Sequence, residues 1–204
     1  IKRGKNDEVK GLLVKARKCP DEEPELDIIP MSDITEMEKE KKILERLANT
    51  DPLTKIYNRL KLNELLNYEI KKTDRYKTPI SLIMFDIDRF KNINDTFGHD
   101  VGDEVLIAIA RAVEQNIRST DVLARWGGEE FMIMLPNTDE AGAHIMAENL
   151  RKLIASLKFE KFDFVTASFG VAQYEDDGTK EFLKRVDNAL YEAKRGGRNM
   201  VSIG

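Results

Sequence analysis

The segment Arg125-Trp126-Gly127-Gly128-Glu129-Glu130-Phe131 organises the second half of this chain. Apolar and polar residues alternate before it, over residues 122–126, and an apolar run follows it, over residues 131–135. Two strands separated by a glycine pair predict a β-hairpin, because tight hairpin turns need a positive φ at the bend. The glycines also let another molecule approach the backbone closely. On this segment alone, a surface hairpin with two solubilising glutamates is as good an interpretation as a functional turn.

Composition limits the classes of protein to which the chain can belong. Its 204 residues, 41% hydrophobic and 34% charged, are enough for one full domain and an appendage. A net charge of −4 argues against a nucleic-acid partner. The single cysteine, Cys19, excludes an internal disulfide and fits a reducing compartment. Without a signal peptide or a membrane-spanning run, the sequence predicts a cytoplasmic location and no membrane contact by this chain. Because it does not begin with methionine, attachment of the full-length protein through a missing N-terminal part stays open.

The first fifty residues predict two short strands and a helix. The strands are expected over residues 11–16 and 26–31, joined by an acidic loop. Asp33 is suited to cap a helix that begins there, with Glu36 reaching back to it. Apolar residues then recur at nearly heptad spacing, with Lys41 at one seam position. Two interpretations stay open: a helix that faces a partner, and an amphipathic helix packed on its own domain. The seam consists of Ile34, Met37, Leu44, Leu47 and Ala48.

From residue 80 onward, the hydrophobic pattern predicts an α+β fold. Residues 80–85 form a nearly continuous apolar run, which is typical of a central strand. A polar loop is expected over residues 90–99, and a helix from about Asp103. After the hairpin come a helix, a strand over residues 164–172, a last helix, and an edge strand over residues 201–203. This order predicts a βαββαβ antiparallel sheet with helices on one face.

Carboxylates and cations are expected to meet at one end of this sheet. Asp86 ends the most apolar strand, where an unpaired carboxylate needs a cation, a donor cluster or solvent. In a βαββαβ sheet the hairpin lies beside that strand, so Glu129 or Glu130 and Asp86 can converge on a hard cation such as Mg²⁺. Taken without these neighbours, Asp86 is better interpreted as a helix-capping or turn residue than as a metal ligand.

A cluster of cations lies near the C-terminus. Lys194, Arg195 and Arg198 surround a glycine pair, an arrangement that is also ordinary at the end of a helix. Together with metal-binding carboxylates, however, such cations suit a nucleoside triphosphate. A Walker-type loop is absent from the sequence, so it does not belong to the P-loop class.

Several separated motifs in this order resemble the GGDEF family, the diguanylate cyclases. The resemblance covers residues 51–202, and the glycine–glutamate turn has the GGEEF form found in active members. The matching motifs are Asp51-Pro-Leu-Thr54, Asn58-Arg59, Phe85-Asp-Ile-Asp-Arg-Phe-Lys91, Asn94, Phe97-Gly-His99, Gly102-Asp103, Gly127-Gly-Glu-Glu-Phe131, Ala189-Leu-Tyr191, Lys194 and Gly197-Arg-Asn199.

This resemblance implies condensation of two GTP molecules into cyclic di-GMP with release of two pyrophosphates, on a palm-like fold shared with nucleotidyl cyclases. It implies that Asp86, the carbonyl of Ile87 and Glu129 hold Mg²⁺ or Mn²⁺. Asn94 and Asp103 would read the guanine edge. Glu130 is the candidate for helping to deprotonate the ribose 3′-hydroxyl. Gly127 and Gly128 would leave room for the nucleotide, and the phosphates would meet Phe90, Lys91, Lys194 and Arg198. The implied catalytic set is Asp86, Lys91, Glu129 and Glu130.

Regulation and assembly also follow from the resemblance. Arg118 and Asp121 occupy the position of the family's inhibitory site for the product. Each protomer would hold one GTP, so catalysis would need a homodimer with two sites face to face. Residues 26–36 resemble the end of a PAS sensor domain. The implied division is a sensor remnant over residues 1–31, a signalling helix over 32–50 and a catalytic domain over 51–204. The main rival is a non-catalytic receptor for cyclic di-GMP.

Overall fold

The computed structural model of the chain describes residues 13–16, 26–29 and 31–204. It divides into two units, Ile1–Ala48 and Asn49–Gly204. In the first, strand β1 (Leu13–Ala16) pairs antiparallel with strand β2 (Leu26–Ile29). Both predicted strands are therefore confirmed within these bounds, whereas the predicted loop between them lies outside the described residues. The PAS-like remnant also falls largely outside them and stays a prediction.

Helix α1 (Met31–Asn49) follows these strands and begins before the predicted cap at Asp33. Three of the predicted seam residues are well exposed: Met37 at 68%, Leu44 at 65% and Leu47 at 70%. Ile43, beside them, is 59% exposed. The helix thus carries a row of apolar side chains that water reaches in the single chain.

The second unit is built on a six-stranded sheet in the order β3-β5-β6-β4-β7-β8. Strand β4 lies inside the sheet and pairs antiparallel with β6 and β7. The predicted antiparallel core is confirmed, but the sheet is mixed, because β3 runs parallel to β5 and β8 parallel to β7. The strands are β3 (Tyr57–Asn58), β4 (Ile80–Ile87), β5 (Val122–Gly127), β6 (Glu130–Pro136), β7 (Ala167–Gln173) and β8 (Val201–Ile203).

Helices cover both faces of the sheet, so the prediction of helices on one face is wrong. All eight residues of β4 are buried, and alternate side chains enter two separate cores. Ile83 and Phe85 pack with α4 and α5, whereas Leu82 and Met84 pack with α2 and α6. A strand that is apolar at every position requires cover on both sides. The helices are α2 (Arg59–Tyr76), α3 (Phe90–Phe97), α4 (His99–Glu114), α5 (Glu140–Ser156) and α6 (Gly178–Arg195).

The polar loop predicted over residues 90–99 is instead the helix α3, and α4 begins at His99 rather than at Asp103. Phe90, Ile93 and Phe97 recur at helical spacing within this polar stretch, and the first two pack on the core. Gly98, with φ of 89°, separates the two helices. The apolar signal is sparse because the other residues of α3 are polar, and all of them except Asn94 are exposed.

Three phenylalanines stack across the middle strands at the end of the sheet that leads to Asp86. The ring of Phe85 lies 5.0 Å from that of Phe131 on β6 and 5.0 Å from that of Phe169 on β7. The three residues are also opposite one another in register. Cross-strand aromatic pairs of this kind stabilise a sheet and fix its register.

Replacing Gly170 with alanine should destabilise the fold, because β7 touches α6 there. A Cβ at this position would overlap backbone atoms of Val186 and Leu190. We expect the free energy of unfolding in urea to fall by about 1–3 kcal/mol, as for other overpacked sites. Gly127→Ala is the matched control, since nothing lies within 4 Å of its added Cβ, and its change should stay within about 0.5 kcal/mol. Equal unfolding midpoints for the two variants would contradict the close approach.

Candidate active site

Asp86 occupies the carboxyl end of the buried strand β4. It lies opposite Glu130 on β6 and Ser168 on β7, and only 8% of it is exposed. The Nζ atom of Lys194, from the last turn of α6, is 2.8 Å from its Oδ2. Burial raises the pKa of Asp86 to about 6; Lys194 opposes this rise, and the charges of Glu129 and Glu130 add to it. Desolvation therefore outweighs the ion pair.

The hairpin turn that carries Glu129 is held from a distant part of the chain. Gly128 has φ of 54°, and Gly127 pairs with Glu130, so the turn residues are Gly128 and Glu129 rather than the glycine pair. Arg125 donates from Nε to the Gly128 carbonyl over 2.8 Å. Its Nη1 lies 3.1 Å and 3.2 Å from the two carboxylate oxygens of Asp51, which is 74 residues away.

Asp51 is itself fixed by local donors. Burial would raise its pKa, but hydrogen bonds from the amide and hydroxyl of Thr54, together with the Arg125 guanidinium, leave the pKa below its ordinary value. Both Thr54 bonds are short, at 2.8 Å and 2.7 Å. Sequence reasoning treated Asp51 as a turn residue and Arg125 as part of a strand, and it did not pair them.

A cleft of about 540 Å³ separates the hairpin turn from α3 and α4. Helix α3 supplies Lys91 and Asn94, α4 supplies Asp103, and the turn supplies Gly128 and Glu129. These five residues, together with Phe90, are predicted site residues, and they come from two helices and the turn. The structure thus brings them to one cavity, whose other lining residues are Asp95, His99, Leu106 and Arg125.

Asn94 is held against Gly102 on the floor between the two helices. Its Oδ1 atom is buried and has no hydrogen-bond partner among the described residues. A Cβ on Gly102 would overlap this oxygen, so the Asn94 side chain lies in this place only because residue 102 is glycine. Asp103 follows directly and is exposed.

The other predicted residues lie beside this cleft rather than in its lining. Asp86, Ile87, Glu130 and Lys194 belong to the adjoining strand and helix ends, and Gly127 ends β5. The two groups are linked electrostatically, because the charge of Glu129 acts on Asp86. Arg198 lines a neighbouring pocket of about 360 Å³, together with residues that include Arg89 and Asn92.

The peptide between Ile87 and Asp88 has a defined orientation. The Asp88 N–H donates to the Thr166 carbonyl on the β7 side over 2.9 Å. In a trans peptide the carbonyl points the opposite way, so the Ile87 oxygen faces the hairpin side. The Ile87 N–H also faces that side, toward the Glu129 carbonyl at 3.4 Å. The Ile87 carbonyl and Glu129 are therefore on the same side of β4.

These donors fit a hard divalent cation of the kind predicted. A carboxylate whose pKa is raised by burial and by neighbouring negative charges gains from an added cation, and oxygen is the ligand atom that Mg²⁺ prefers. Among residues 31–204 and the two described strands, no group of three or more His, Cys, Asp or Glu side chains is arranged to hold a metal. The predicted set does not need one, because it uses two carboxylates and a backbone carbonyl.

The predicted inhibitory pair also comes together. Asp121 is 9% exposed, and its Oδ2 accepts the Arg118 N–H over 2.9 Å. Both residues line a pocket of about 570 Å³ at the end of β5 away from the hairpin turn. Arg118 is exposed and forms no ion pair within the described part of the chain. Asp121 thus shapes the turn, and Arg118 is open to a ligand.

In the described ranges, no helix is both long and apolar enough to cross a bilayer.

Residues 48–200 match the family described as "Diguanylate cyclase, GGDEF domain". The chain is 41% identical over 170 residues to the diguanylate cyclase DgcM of Escherichia coli, covering 83% of this chain and 42% of that protein. It is 40% identical over 175 residues to a diguanylate cyclase of Vibrio cholerae, covering 84% of this chain and 54% of the relative. The chain therefore spans about half or less of these curated relatives.

Solved structures of similar domains share the fold. The coiled coil and GGDEF domain of DgcB from Caulobacter crescentus, in complex with c-di-GMP, superposes with a TM-score of 0.80 at 29% identity, over 85% of this chain and 94% of that one. The active GGEEF domain of a Vibrio cholerae diguanylate cyclase superposes with a TM-score of 0.69 at 40% identity, over 72% and 96%. The predicted palm-like fold is confirmed by these neighbours.

The raised pKa of Asp86 predicts a pH dependence of stability in the metal-free protein. Its ordinary value is 3.8 and its folded value is about 6, so the folded state binds more protons within that window. The contribution of Asp86 to the free energy of unfolding therefore falls as pH rises from about 4 to about 6, by up to roughly 3 kcal/mol. Asp86→Asn should gain stability relative to wild type by that amount across the window, measured by urea unfolding in EDTA.

Lys194→Met provides the internal check, because removing the opposing cation should push the Asp86 pKa higher and extend the pH-dependent window upward. A constant difference between wild type and Asp86→Asn at all these pH values would contradict the assigned pKa.

Proposed function

The chain belongs to the GGDEF family of diguanylate cyclase domains, and from this membership we propose that it condenses two GTP molecules into cyclic di-GMP with release of two pyrophosphates. The observation that carries the proposal is the cleft lined by Lys91, Asn94, Asp103 and Glu129. It adjoins the ion pair between the buried Asp86 and the partly exposed Lys194. Base-recognition groups, phosphate-binding cations and metal-binding carboxylates are thus available around one cavity.

Guanine recognition is assigned to Asn94 and Asp103. An exposed carboxylate can accept hydrogen bonds from the N1 and N2 donors of guanine, a pattern that adenine does not offer. The amide of Asn94 supplies both donor and acceptor capacity, and the close packing of α3 on α4 holds it in place. These two residues favour GTP over ATP.

Phosphate binding is assigned to cations from two distant parts of the domain, the start of α3 and the end of α6. Lys91 and Phe90 both line the cleft. Lys194 lies at the edge of the site, where it pairs with Asp86. Arg198 follows it in the turn after α6 and is exposed. Gly127 and Gly128 add no side chain at the turn, where a Cβ would have open space.

The divalent cation, Mg²⁺ or Mn²⁺, is assigned to Asp86, the Ile87 carbonyl and Glu129. When bound, it would neutralise phosphate charge and act as a Lewis acid. Glu130 is partly buried opposite Asp86 and is our candidate for accepting the proton of the ribose 3′-hydroxyl. Adjacent Glu129 and Glu130 differ in position, one in the turn and one in β6, so they need not share one role.

Catalysis is proposed to occur in a homodimer. Among the described residues there is one cleft with this set of predicted residues, and joining two GTP molecules requires two such sites face to face. The exposed residues Met37, Leu44 and Leu47 on α1 suit a second copy of the same helix. We assign residues 1–31 to a sensor remnant, 32–50 to a signalling helix and 51–204 to the catalytic domain.

A receptor for cyclic di-GMP is the second candidate, because the exposed Arg118 beside Asp121 suits an anionic product. In the cyclase, the same pair would serve inhibition by product. The candidate catalytic residues are all present, which favours the enzyme. Binding of cyclic di-GMP without any turnover of GTP by a dimeric sample would favour the receptor.

Glu129→Ala should abolish product formation. Wild-type protein incubated with GTP and Mg²⁺ should yield cyclic di-GMP and pyrophosphate by chromatography, and the variant should lose at least about 100-fold in rate, as for removal of a transition-state charge contact. Glu129→Gln is the matched control for packing and should lose activity similarly. Absence of product from a wild-type sample shown to be dimeric by sedimentation would contradict the enzymatic proposal. Equal product formation from ATP would contradict the assigned guanine recognition.

Arg118→Ala should weaken inhibition by the product. Loss of a charge-assisted contact should raise the concentration of cyclic di-GMP at half-inhibition at least about tenfold. Arg111→Ala removes an exposed arginine from the last turn of α4, outside the pocket, and should leave that concentration unchanged. If wild type and Arg118→Ala are half-inhibited at the same concentration of cyclic di-GMP, the proposed inhibitory role of Arg118 and Asp121 is contradicted.

A further inference from the structure

Asp88 is a buried carboxylate for which the proposed reaction has no use. It is 8% exposed, although it directly follows the last residue of β4. Its Oδ2 accepts the Thr166 hydroxyl over 2.7 Å, and its Oδ1 accepts the Ser168 hydroxyl over 2.6 Å. Its own N–H donates to the Thr166 carbonyl. These bonds attach the end of β4 to the beginning of β7.

A further donor reaches Asp88 from the C-terminal end of the chain. The N–H of Asn199, 111 residues away, lies 3.0 Å from Oδ2. Asn199 belongs to the turn that follows α6, in which Gly197, Arg198 and Asn199 have φ of 126°, 68° and 46°. Left-handed backbone at two residues other than glycine is strained and persists only where surrounding contacts hold it. Asp88 supplies one of those contacts.

The Asn199 N–H shares its peptide group with the carbonyl of Arg198. Because that peptide is planar, the hydrogen bond to Asp88 fixes the plane on the C-terminal side of Arg198. On the other side, the Arg198 N–H donates to the Ala193 carbonyl over 3.1 Å. The backbone of Arg198 is therefore restrained on both sides, and its side chain leaves from a defined position.

We propose that Asp88 is a positioning residue that holds Arg198 for the phosphates of the nucleotide. The inference rests on the proposed function, because it assigns Arg198 to phosphate binding. Asp88 acts through the Asn199 amide and the backbone of the turn and does not touch substrate. It connects the end of β4, where the metal-binding groups lie, to a cation on the far end of the chain.

Variants can separate this positioning role from a mainly structural one, in which Asp88 only joins β4 to β7. Ser168→Ala removes a β7 donor to Asp88 but leaves the Asn199 bond. If Asp88 is a positioning residue, this variant should lower stability and leave nucleotide affinity unchanged. Asp88→Ala releases the turn as well. Asp88→Asn retains an amide oxygen that can accept from Thr166 and Asn199 while its amide group faces the Ser168 hydroxyl. This conservative variant should therefore recover most of the affinity that alanine loses.

The test is a double-mutant cycle between Asp88→Ala and Arg198→Ala, with affinity for the α,β-methylene analogue of GTP measured by calorimetry in Mg²⁺. Each single variant should weaken binding about tenfold, as for one charge-assisted contact. The double variant should bind no more weakly than Arg198→Ala alone, because positioning has no effect once the positioned side chain is gone. Additive losses would overturn the proposal.

Hydrogen exchange of the Asn199 amide gives a readout that is independent of nucleotide. Protection of this amide from exchange should be lost in Asp88→Ala, partly reduced in Asp88→Asn and unchanged in Ser168→Ala. If Asp88→Ala does not fold, the other two variants decide. Weakened affinity for Ser168→Ala with the Asn199 amide still protected would overturn the proposal, and so would reduced protection in Asp88→Asn with no loss of affinity. If the effects of the two substitutions on binding are not additive but wild type forms no product, only the proposed cyclase activity is contradicted. If wild type forms product but the effects are additive, only the role of Asp88 is contradicted.

Discussion

The site depends on one constraint, the complete burial of strand β4. Its eight residues lie between two strands and beneath helices on both faces, so the carboxylate at its end cannot be fully hydrated. Lys194 partly compensates for this, yet burial still raises the pKa of Asp86 to about 6. A group held at such a cost beside two further carboxylates is typical of a functional site. The phenylalanine stack next to it makes this end of the sheet rigid, so the charged groups keep their relative positions.

Rigidity at the end of β4 extends to the hairpin turn through Arg125. This side chain contacts the Gly128 carbonyl with one nitrogen and the Asp51 carboxylate with another. A two-residue turn alone would leave Glu129 on a short mobile tip. With Arg125 anchored to Asp51, the turn is attached to a second segment of the domain, and Glu129 can face the cleft from a fixed backbone.

Sequence patterns predicted much of this arrangement. The apolar run before Asp86 gave a central strand, and the glycine pair gave the hairpin, because both signals are local. Helix α3 was missed because its few apolar residues are separated by polar ones, most of which are exposed. The contacts of Arg125 with Asp51 and of Asp88 with Asn199 were not predicted, since each joins residues far apart in the chain. The continuous apolar run of β4 implied cover on both faces of the sheet. The βαββαβ order alone, however, does not specify on which face each helix lies.

Helix α3 shows why such long-range contacts matter for the cleft. Lys91 and Asn94 line the cleft beside the hairpin turn, whereas Asn92 and Thr96, on another side of the helix, line the pocket that contains Arg198. Since neighbouring residues on a helix are about 100° apart, the rotation of α3 about its axis decides which of these residues face the cleft and which face the pocket. The rotation is set where the helix begins, at the left-handed Arg89, immediately after Asp88. The hydrogen bonds that anchor Asp88 therefore fix where α3 starts as well as where the C-terminal turn ends, and the cleft and Arg198 take their positions from the same buried carboxylate.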